Sequence, residues 1–167
     1  MNAPEKKYHV EFDKTIERYS DMIYRIAITI TGNEEDAKDA FQETFLRLVR
    51  SRNKIVSEEH LKAWLIRVVT NCAKTVASSP WNRKTQGLSG EESTREAVCR
   101  TGENSLLLEL QSLPEKYSVV LYLYYYEGYS VKEIGSLLGK NENSIKTLLS
   151  RGRSLLRKEL EGGESHE

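Results

Sequence analysis

The residues best suited to bind another molecule lie in one basic segment near the C-terminus. Between Lys140 and Lys158 there are six basic residues and a single acidic one, Glu142. A helix with that excess of positive charge can neutralise DNA phosphates while side chains in its first turns reach base edges in the major groove. The helical period places one set of polar residues on its outer face: Asn143, Lys146, Thr147, Ser150, Arg151 and Arg153. The alternative for such a run is a solvated face on an ordinary helical hairpin.

Two short helices joined by a tight turn are predicted to position this basic face. Ser130 and Glu133 have the spacing of an N-terminal capping box, and Gly139 can end that helix in a left-handed conformation that other residues avoid. Asn141 can cap the second helix. Its buried face is expected to carry, at spacings of four, three and four, the residues Ile145, Leu149, Gly152 and Leu156. The arrangement predicts a helix-turn-helix with a basic second helix, which favours DNA binding over a solvated surface.

The composition limits the class of protein. Of the 167 residues, 25 are basic and 25 are acidic, so the formal net charge is zero. Because non-specific affinity for DNA comes mainly from phosphate neutralisation, this balance indicates that a partner supplies much of the DNA contact. Only three prolines and an abundance of helix formers predict an all-α protein. The sequence has no apolar run long enough to cross a membrane and no N-terminal signal segment, so we expect a cytoplasmic protein without membrane insertion.

The hydrophobic periodicity divides the chain into two small helical domains joined by a flexible linker. The predicted N-terminal domain, residues 10–84, contains three helices. Residues 85–105 are rich in Gly, Ser, Thr and Glu and lack an apolar period, so we interpret them as the linker. The predicted C-terminal domain, residues 106–160, contains the helix-turn-helix, and the tail after Leu160 is expected to be disordered.

The second predicted helix, over residues 34–50, has one apolar and one polar face. The residues expected to point inward are Ala37, Phe41, Thr44, Phe45 and Leu48. The polar residues that point elsewhere include Asp39, Gln42 and Glu43. Considered alone, this pattern favours a solvated face with a Glu43–Arg47 pair worth a few tenths of a kcal/mol.

The chain closely resembles the extracytoplasmic-function sigma factors of bacterial RNA polymerase. Three segments carry the resemblance: GNEEDAKDAFQETFLRL, LKAWLIRVVTN and LPEKYSVVLYLYYYEGYSVKEIGSLLGKNENSIKTLLSRGRSLLRK. They cover about residues 10–84 and 106–160. A helix-turn-helix alone would be a weak signal, whereas three segments in the family's order are specific.

The resemblance implies a non-enzymatic initiation subunit that binds core RNA polymerase and promoter DNA, needs no cofactor or metal, and is a target for an anti-sigma factor. It implies, against the solvated-face interpretation, a surface that docks on core polymerase at Asp39, Gln42 and Glu43. It implies that the downstream (−10) element is opened and captured by Asn53, Lys54, Ile55, Asn71 and Lys74. It implies that the upstream (−35) element is read by Asn143, Lys146, Thr147, Ser150, Arg151 and Arg153.

The sequence also departs from the family at several positions. Leu148 stands where the family commonly has Arg, and Ser118 replaces a frequent Arg in the preceding helix. Ile55 lies where an aromatic residue is often found in the DNA-opening loop, and the segment SSPWNRK is less basic than the family's usual run. The promoter preference of this chain is therefore not inferred from that of any relative.

Other classes of function compete with this one. A conventional dimeric regulator would need its own affinity for duplex DNA and a dimer interface, and the sequence has no coiled-coil heptads. A helical adaptor would instead present the basic helix to an acidic protein. An enzyme is disfavoured, because His9, His60 and His166 lack neighbouring catalytic or metal-binding patterns and there is no Gly-rich phosphate loop. Cys72 and Cys99 form no C-x-x-C pair and are too few for a disulfide framework.

Overall fold

The computed structural model describes residues 7–78 and 105–164, and the regular elements in those ranges are all helical. The N-terminal half contains α1 (Phe12–Thr31), α2 (Glu34–Ser51), a 3-10 turn (Arg52–Lys54) and α3 (Glu58–Ala77). The C-terminal half contains α4 (Ser105–Gln111), α5 (Glu115–Tyr125), α6 (Val131–Leu138) and α7 (Glu142–Glu164). Nearly all of the predicted linker, together with Cys99, lies outside the described residues.

Local capping chemistry sets the helix starts where the sequence predicted them. The Asn33 side-chain oxygen accepts a hydrogen bond from the Asp36 backbone N–H at 2.8 Å, which begins α2. The Ser57 hydroxyl accepts one from the His60 backbone N–H at 3.0 Å, which begins α3. Each cap satisfies a backbone donor that the helix itself leaves without a partner. Between α1 and α2, Gly32 adopts a φ of 74°, a left-handed conformation that permits the short turn.

The N-terminal half is a bundle in which α1, α2 and α3 all contact one another. The predicted inward face of α2 packs against the core, and its residues are buried to different degrees. Ala37 and Ala40 are fully buried, whereas Phe41 and Phe45 are half-buried, with ring centroids 5.0 Å apart. Thr44 and Leu48 are also fully buried, and the two phenylalanine rings pack against the same apolar cluster while keeping part of their surface exposed.

The C-terminal half is built around α7, which contacts α4, α5 and α6. Gly152 is buried at the α5–α7 contact, where a Cβ atom would lie 3.0 Å from Leu121 Cδ1 and 3.3 Å from Tyr117 Cβ. A glycine therefore allows the two helices to approach. The expected disorder after Leu160 is wrong for the first residues of the tail, because α7 continues to Glu164.

The two halves pack against each other. α1 contacts both α4 and α5, and α3 contacts α6. The buried apolar side chains of the two halves form one continuous cluster, from Tyr19 in α1 to Leu149 in α7. None of the helices in the described ranges has the length and apolar character that a membrane span requires.

Candidate nucleic-acid interface

The turn between α6 and α7 is fixed by short-range contacts. The Ser130 hydroxyl accepts from the Glu133 backbone N–H at 3.1 Å, and the Glu133 carboxylate accepts from the Ser130 N–H at 3.4 Å, so the predicted capping box is present. Gly139 ends α6 with a φ of 68°. Lys140 N–H then donates to the Gly135 carbonyl at 2.8 Å. These contacts leave α7 in one orientation relative to α6.

The predicted recognition face lies on the exposed side of α7. The Asn141 side-chain oxygen caps this helix by accepting from the Ser144 N–H at 2.8 Å. Ile145 is fully buried and Leu149 is 3 % exposed, which directs the opposite side outward. The exposed polar residues on that side are Asn143, Lys146, Thr147, Ser150 and Arg151. The structure thus brings these predicted site residues together on one accessible helix surface.

Arg153 differs from the other predicted recognition residues. Its Nε donates to the Tyr125 hydroxyl oxygen at 2.7 Å, and its guanidinium lies 5.4 Å from the ring centroid of Tyr124 and 5.7 Å from that of Tyr125. The cation–π contacts and the hydrogen bond hold the side chain against α5. In this conformation Arg153 supports the recognition helix from its edge.

The loop after α2 requires one correction. Asn53 and Lys54 are exposed as predicted, but Ile55, predicted to contact DNA, is only 2 % exposed and anchors the loop in the core. The apolar side chain that the loop presents to solvent is Val56, which is 72 % exposed. The Val56 N–H donates to the His60 imidazole Nδ1 at 3.2 Å, so the first turn of α3 also holds this loop.

The predicted DNA-binding residues of α3 line a narrow cleft. Asn71 is exposed and Lys74 is half-buried, and both line it together with Thr70. The C-terminal end of α6, residues 136–139, forms the opposite wall, and the cleft has a volume of about 200 Å³. The face of α3 predicted to contact DNA therefore lies against the helix-turn-helix.

A carboxylate that sequence reasoning missed ties the N-terminal segment to α3. Glu58 accepts hydrogen bonds from the Tyr8 hydroxyl at 2.5 Å, the Tyr19 hydroxyl at 2.7 Å and the Arg18 guanidinium at 2.6 Å. The hydrogen bonds from Tyr8 and Tyr19, and then the Arg18 charge, hold the pKa of Glu58 below its ordinary value of 4.5. The sequence identifies Glu58 only as an acidic residue in the first turn of a helix. Its hydrogen-bond partners lie at least 39 positions away, so no local signal indicates them.

The outer face of α2 combines acidic, amide and apolar groups. Asp39 and Gln42 are exposed, and Glu43 pairs with Arg47 at 3.0 Å, as predicted. The same face also carries two apolar residues that the sequence analysis did not assign to it. Leu46 is 52 % exposed and Val49 is 49 % exposed. Leu46 and Val49 therefore add adjacent exposed apolar area to this polar face.

Metal chemistry has no support in the described part of the chain. Residues 7–78 and 105–164 contain no group of three or more His, Cys, Asp or Glu side chains placed to hold a metal ion. Cys72 is buried, and that burial raises the pKa of its thiol, which disfavours the thiolate form needed for reactivity.

Two family models match this chain, one on each half. The model described as Sigma-70 region 2 matches residues 15–79. The model described as Sigma-70, region 4 matches residues 103–156. The first match contains most of α1 together with α2, the loop and α3, and the second contains α4 to α6 and most of α7.

Curated relatives and a solved structure agree with these matches. The chain is 30 % identical over 156 residues to ECF RNA polymerase sigma factor SigE of Mycolicibacterium smegmatis, covering 87 % of this chain and 60 % of that protein. It is 27 % identical over 165 residues to ECF RNA polymerase sigma factor SigW of Bacillus subtilis, covering 89 % and 88 %. The fold is similar, with a TM-score of 0.66 and 18 % identity, to the sigma factor RpoE in its complex with the anti-sigma factor NepR from Bartonella quintana, covering 90 % of this chain and 96 % of that one.

Proposed function

The chain belongs to the extracytoplasmic-function sigma factors and is therefore a transcription initiation factor and not an enzyme; from this premise we propose that it directs core RNA polymerase to promoters through three separate surfaces. The observation that carries the proposal is the exposed polar face of α7, the helix that follows the tightly fixed turn after α6. A face of this kind is the part of a helix-turn-helix that enters the major groove.

The upstream surface consists of Asn143, Lys146, Thr147, Ser150 and Arg151. In this proposal the residues nearest the N-terminus of α7 contact base edges, whereas Lys146 and Arg151 contribute positive charge that binds phosphates. Arg153 serves a different role in this proposal, because its contacts with Tyr124 and Tyr125 hold α7 on α5.

The downstream surface consists of the exposed loop residues Asn53 and Lys54 and the α3 residues Asn71 and Lys74. A base turned out of the stack exposes its pairing edge to amide groups, and capturing it holds the melted strand open. Val56 replaces Ile55 in this proposal, because its exposed side chain offers an apolar contact for an unstacked base.

The polymerase-docking surface is the outer face of α2. Asp39, Gln42 and Glu43 supply polar contacts, and Leu46 and Val49 supply the apolar area that charged residues alone would lack. We place the protein in the cytoplasm with its polymerase, and we expect an anti-sigma protein to compete for these surfaces, in line with the complex of the structurally similar RpoE with NepR.

Binding to sigma-free core polymerase, followed by run-off transcription from a promoter library, tests the function. Asp39→Arg should weaken core binding, whereas Glu17→Arg, the same charge reversal at an exposed position of α1, should not. If both variants bind like the wild type, α2 is not the docking surface. If core binding is absent and the protein shifts duplex DNA unaided, the conventional-regulator function replaces this one.

The upstream surface has its own test in holoenzyme binding to promoter duplexes. Arg151→Ala should lower affinity and reduce the slope of log affinity against log salt by about one, the value expected for one lost phosphate contact. Lys116→Ala removes an exposed charge from α5 and should leave the slope unchanged. Equal slopes for the two variants would exclude Arg151 from the DNA contact.

A further inference from the structure

The loop between α2 and α3 exposes an apolar side chain that only its backbone can hold in place. Val56 is 72 % exposed, more than any other large hydrophobic residue in the described part of the chain, whereas its neighbour Ile55 is 2 % exposed. Core packing therefore fixes Ile55 but not Val56. The contact that fixes Val56 is a hydrogen bond from its backbone N–H to Nδ1 of the His60 imidazole, at 3.2 Å.

This contact is a capping box with one member changed. In a capping box the N-cap hydroxyl accepts from the N–H three residues later, and a Glu or Gln at that later position accepts a backbone N–H in return. Here the Ser57 hydroxyl accepts from the His60 N–H at 3.0 Å. The returning acceptor is the half-buried His60 imidazole, which binds the N–H of the residue before the cap. The loop is therefore tied to α3 by a side chain that can titrate.

The imidazole can accept this hydrogen bond only in its neutral form. A neutral ring carries one N–H and one lone-pair nitrogen, so the contact with Val56 places the ring proton on Nε2. A protonated ring carries N–H on both nitrogens, and its Nδ1–H would face the Val56 N–H. Two donors cannot share a hydrogen bond, so protonation breaks the contact and leaves the loop held by Ile55.

The charges around the ring do not replace this contact. Glu58, two residues before His60, already accepts hydrogen bonds from Tyr8, Tyr19 and Arg18. Val56 is the hydrogen-bond partner of the His60 ring within residues 7–78 and 105–164. A change in the charge of the ring therefore acts first on Val56. The charged groups on the elements that meet at this loop are Arg18 of α1, Arg50 of α2, Arg52 and Lys54 of the 3-10 turn, and Glu58 and Glu59 of α3.

We propose that His60 is a positioning residue for the downstream DNA surface: its neutral imidazole holds Val56 and the loop in the DNA-binding conformation, and protonation of the ring releases them. Histidine is the side chain whose charge ordinarily changes between about pH 5 and 8, so promoter opening by this chain weakens as the pH falls through that range. The effect on DNA rests on the proposed function of the loop, whereas the hydrogen bond does not.

The hydrogen bond is tested in the free protein by NMR of a ¹⁵N-labelled chain. The chain has three histidines, and His60→Ala identifies the ring signals that belong to His60. At about pH 8 we expect the Nε2–H tautomer, and on titration to about pH 5.5 the Val56 amide should shift with the same midpoint as the ring. An Nδ1–H tautomer, or a Val56 amide that does not follow the ring, would overturn the contact.

The effect on DNA is tested with holoenzyme and a promoter that carries 2-aminopurine in the −10 element, whose fluorescence reports opening. At about pH 8, His60→Ala should open the promoter about fivefold less well, the change expected for one lost hydrogen bond. His60→Asn places a carbonyl oxygen where Nδ1 stood and does not titrate, so it should match the wild type at about pH 8 and exceed it at about pH 5.5. His9→Ala, at an exposed position of the N-terminal segment, should follow the wild type at both values.

Comparing variants at the same pH cancels the response of the polymerase itself. At about pH 5.5 the wild type should open no better than His60→Ala, because both then lack the acceptor. Failure of His60→Asn to restore opening, or a ratio of His60→Ala to wild type that is the same at both values, would refute the positioning role. If the wild-type holoenzyme opens no promoter, the proposed function fails, whereas the NMR titration still decides whether His60 holds the loop.

Discussion

The tight turn of the helix-turn-helix offers a sharp test through Gly135→Ala. A Cβ atom at Gly135 would lie 2.6 Å from the Lys140 carbonyl oxygen, a distance that real Cβ contacts essentially never reach. The oxygen belongs to the backbone of the turn itself, so it cannot move without shifting the start of α7. The Lys140 N–H also donates to the Gly135 carbonyl at 2.8 Å, which ties the two positions together.

The expected magnitude is the difference of two opposing effects. Overpacking a tight site costs typically about 1–3 kcal/mol, and a clash with backbone belongs at the upper end of that range. Replacing a helical glycine by alanine returns about 1 kcal/mol of helix propensity. The net loss of unfolding free energy should be about 2 kcal/mol, which corresponds to a Tm decrease of about 4–8 °C for a protein of this size.

Urea and thermal unfolding followed by far-UV circular dichroism measure this loss. Gly162→Ala is the matched control, because it lies in the same pair of helices, in α7, and a Cβ there meets no atom within 4 Å. The control should be neutral or slightly stabilising. If Gly135→Ala is as stable as the wild type and binds promoter duplex equally well, the turn can widen at no cost. The orientation of α7 is then not set by this contact.

Three further predictions concern the caps and the tyrosine–carboxylate contacts. Ser130→Ala should lower the unfolding free energy by about 1 kcal/mol in urea denaturation, because it removes the N-cap of α6. Burial, with nearby Glu58 for Tyr8 and Glu127 for Tyr129, raises the pKa of both tyrosines from 10.0 to about 12. Their contribution to stability is therefore complete below pH 10 and is lost as the pH rises toward 12, which a tyrosinate absorbance titration with parallel urea unfolding will measure. The lowered pKa of Glu58 has the opposite sign, so its contribution is present above pH 4.5 and is lost in acid, and the stability difference from Glu58→Gln should shrink there.

Sequence reasoning succeeded where the physical cause is local. The caps at Asn33, Ser57, Ser130 and Asn141 were predictable because each side chain contacts a backbone group three residues away. The contact role of Gly152 was also predictable, since a glycine on an otherwise apolar helical stripe indicates close approach of another helix.

The failures share a different cause. Ile55 belongs to a loop, yet its side chain is buried in the core by tertiary packing. Glu58 accepts hydrogen bonds from Tyr8, Arg18 and Tyr19, all of which are distant in the sequence. A single sequence carries no local signal for such contacts. The docking of the two halves was likewise invisible, because Lys62 and Glu127 form a pair only in the folded chain.

The burial of α1 couples the stability of the two halves. Every residue from Ile26 to Thr31 is buried, so this stretch has no solvent side and belongs to both halves of the protein at once. Separation of the two halves would expose some of that surface to solvent. Added apolar contact between α1 and α4 or α5 should therefore raise the thermal stability of both halves together.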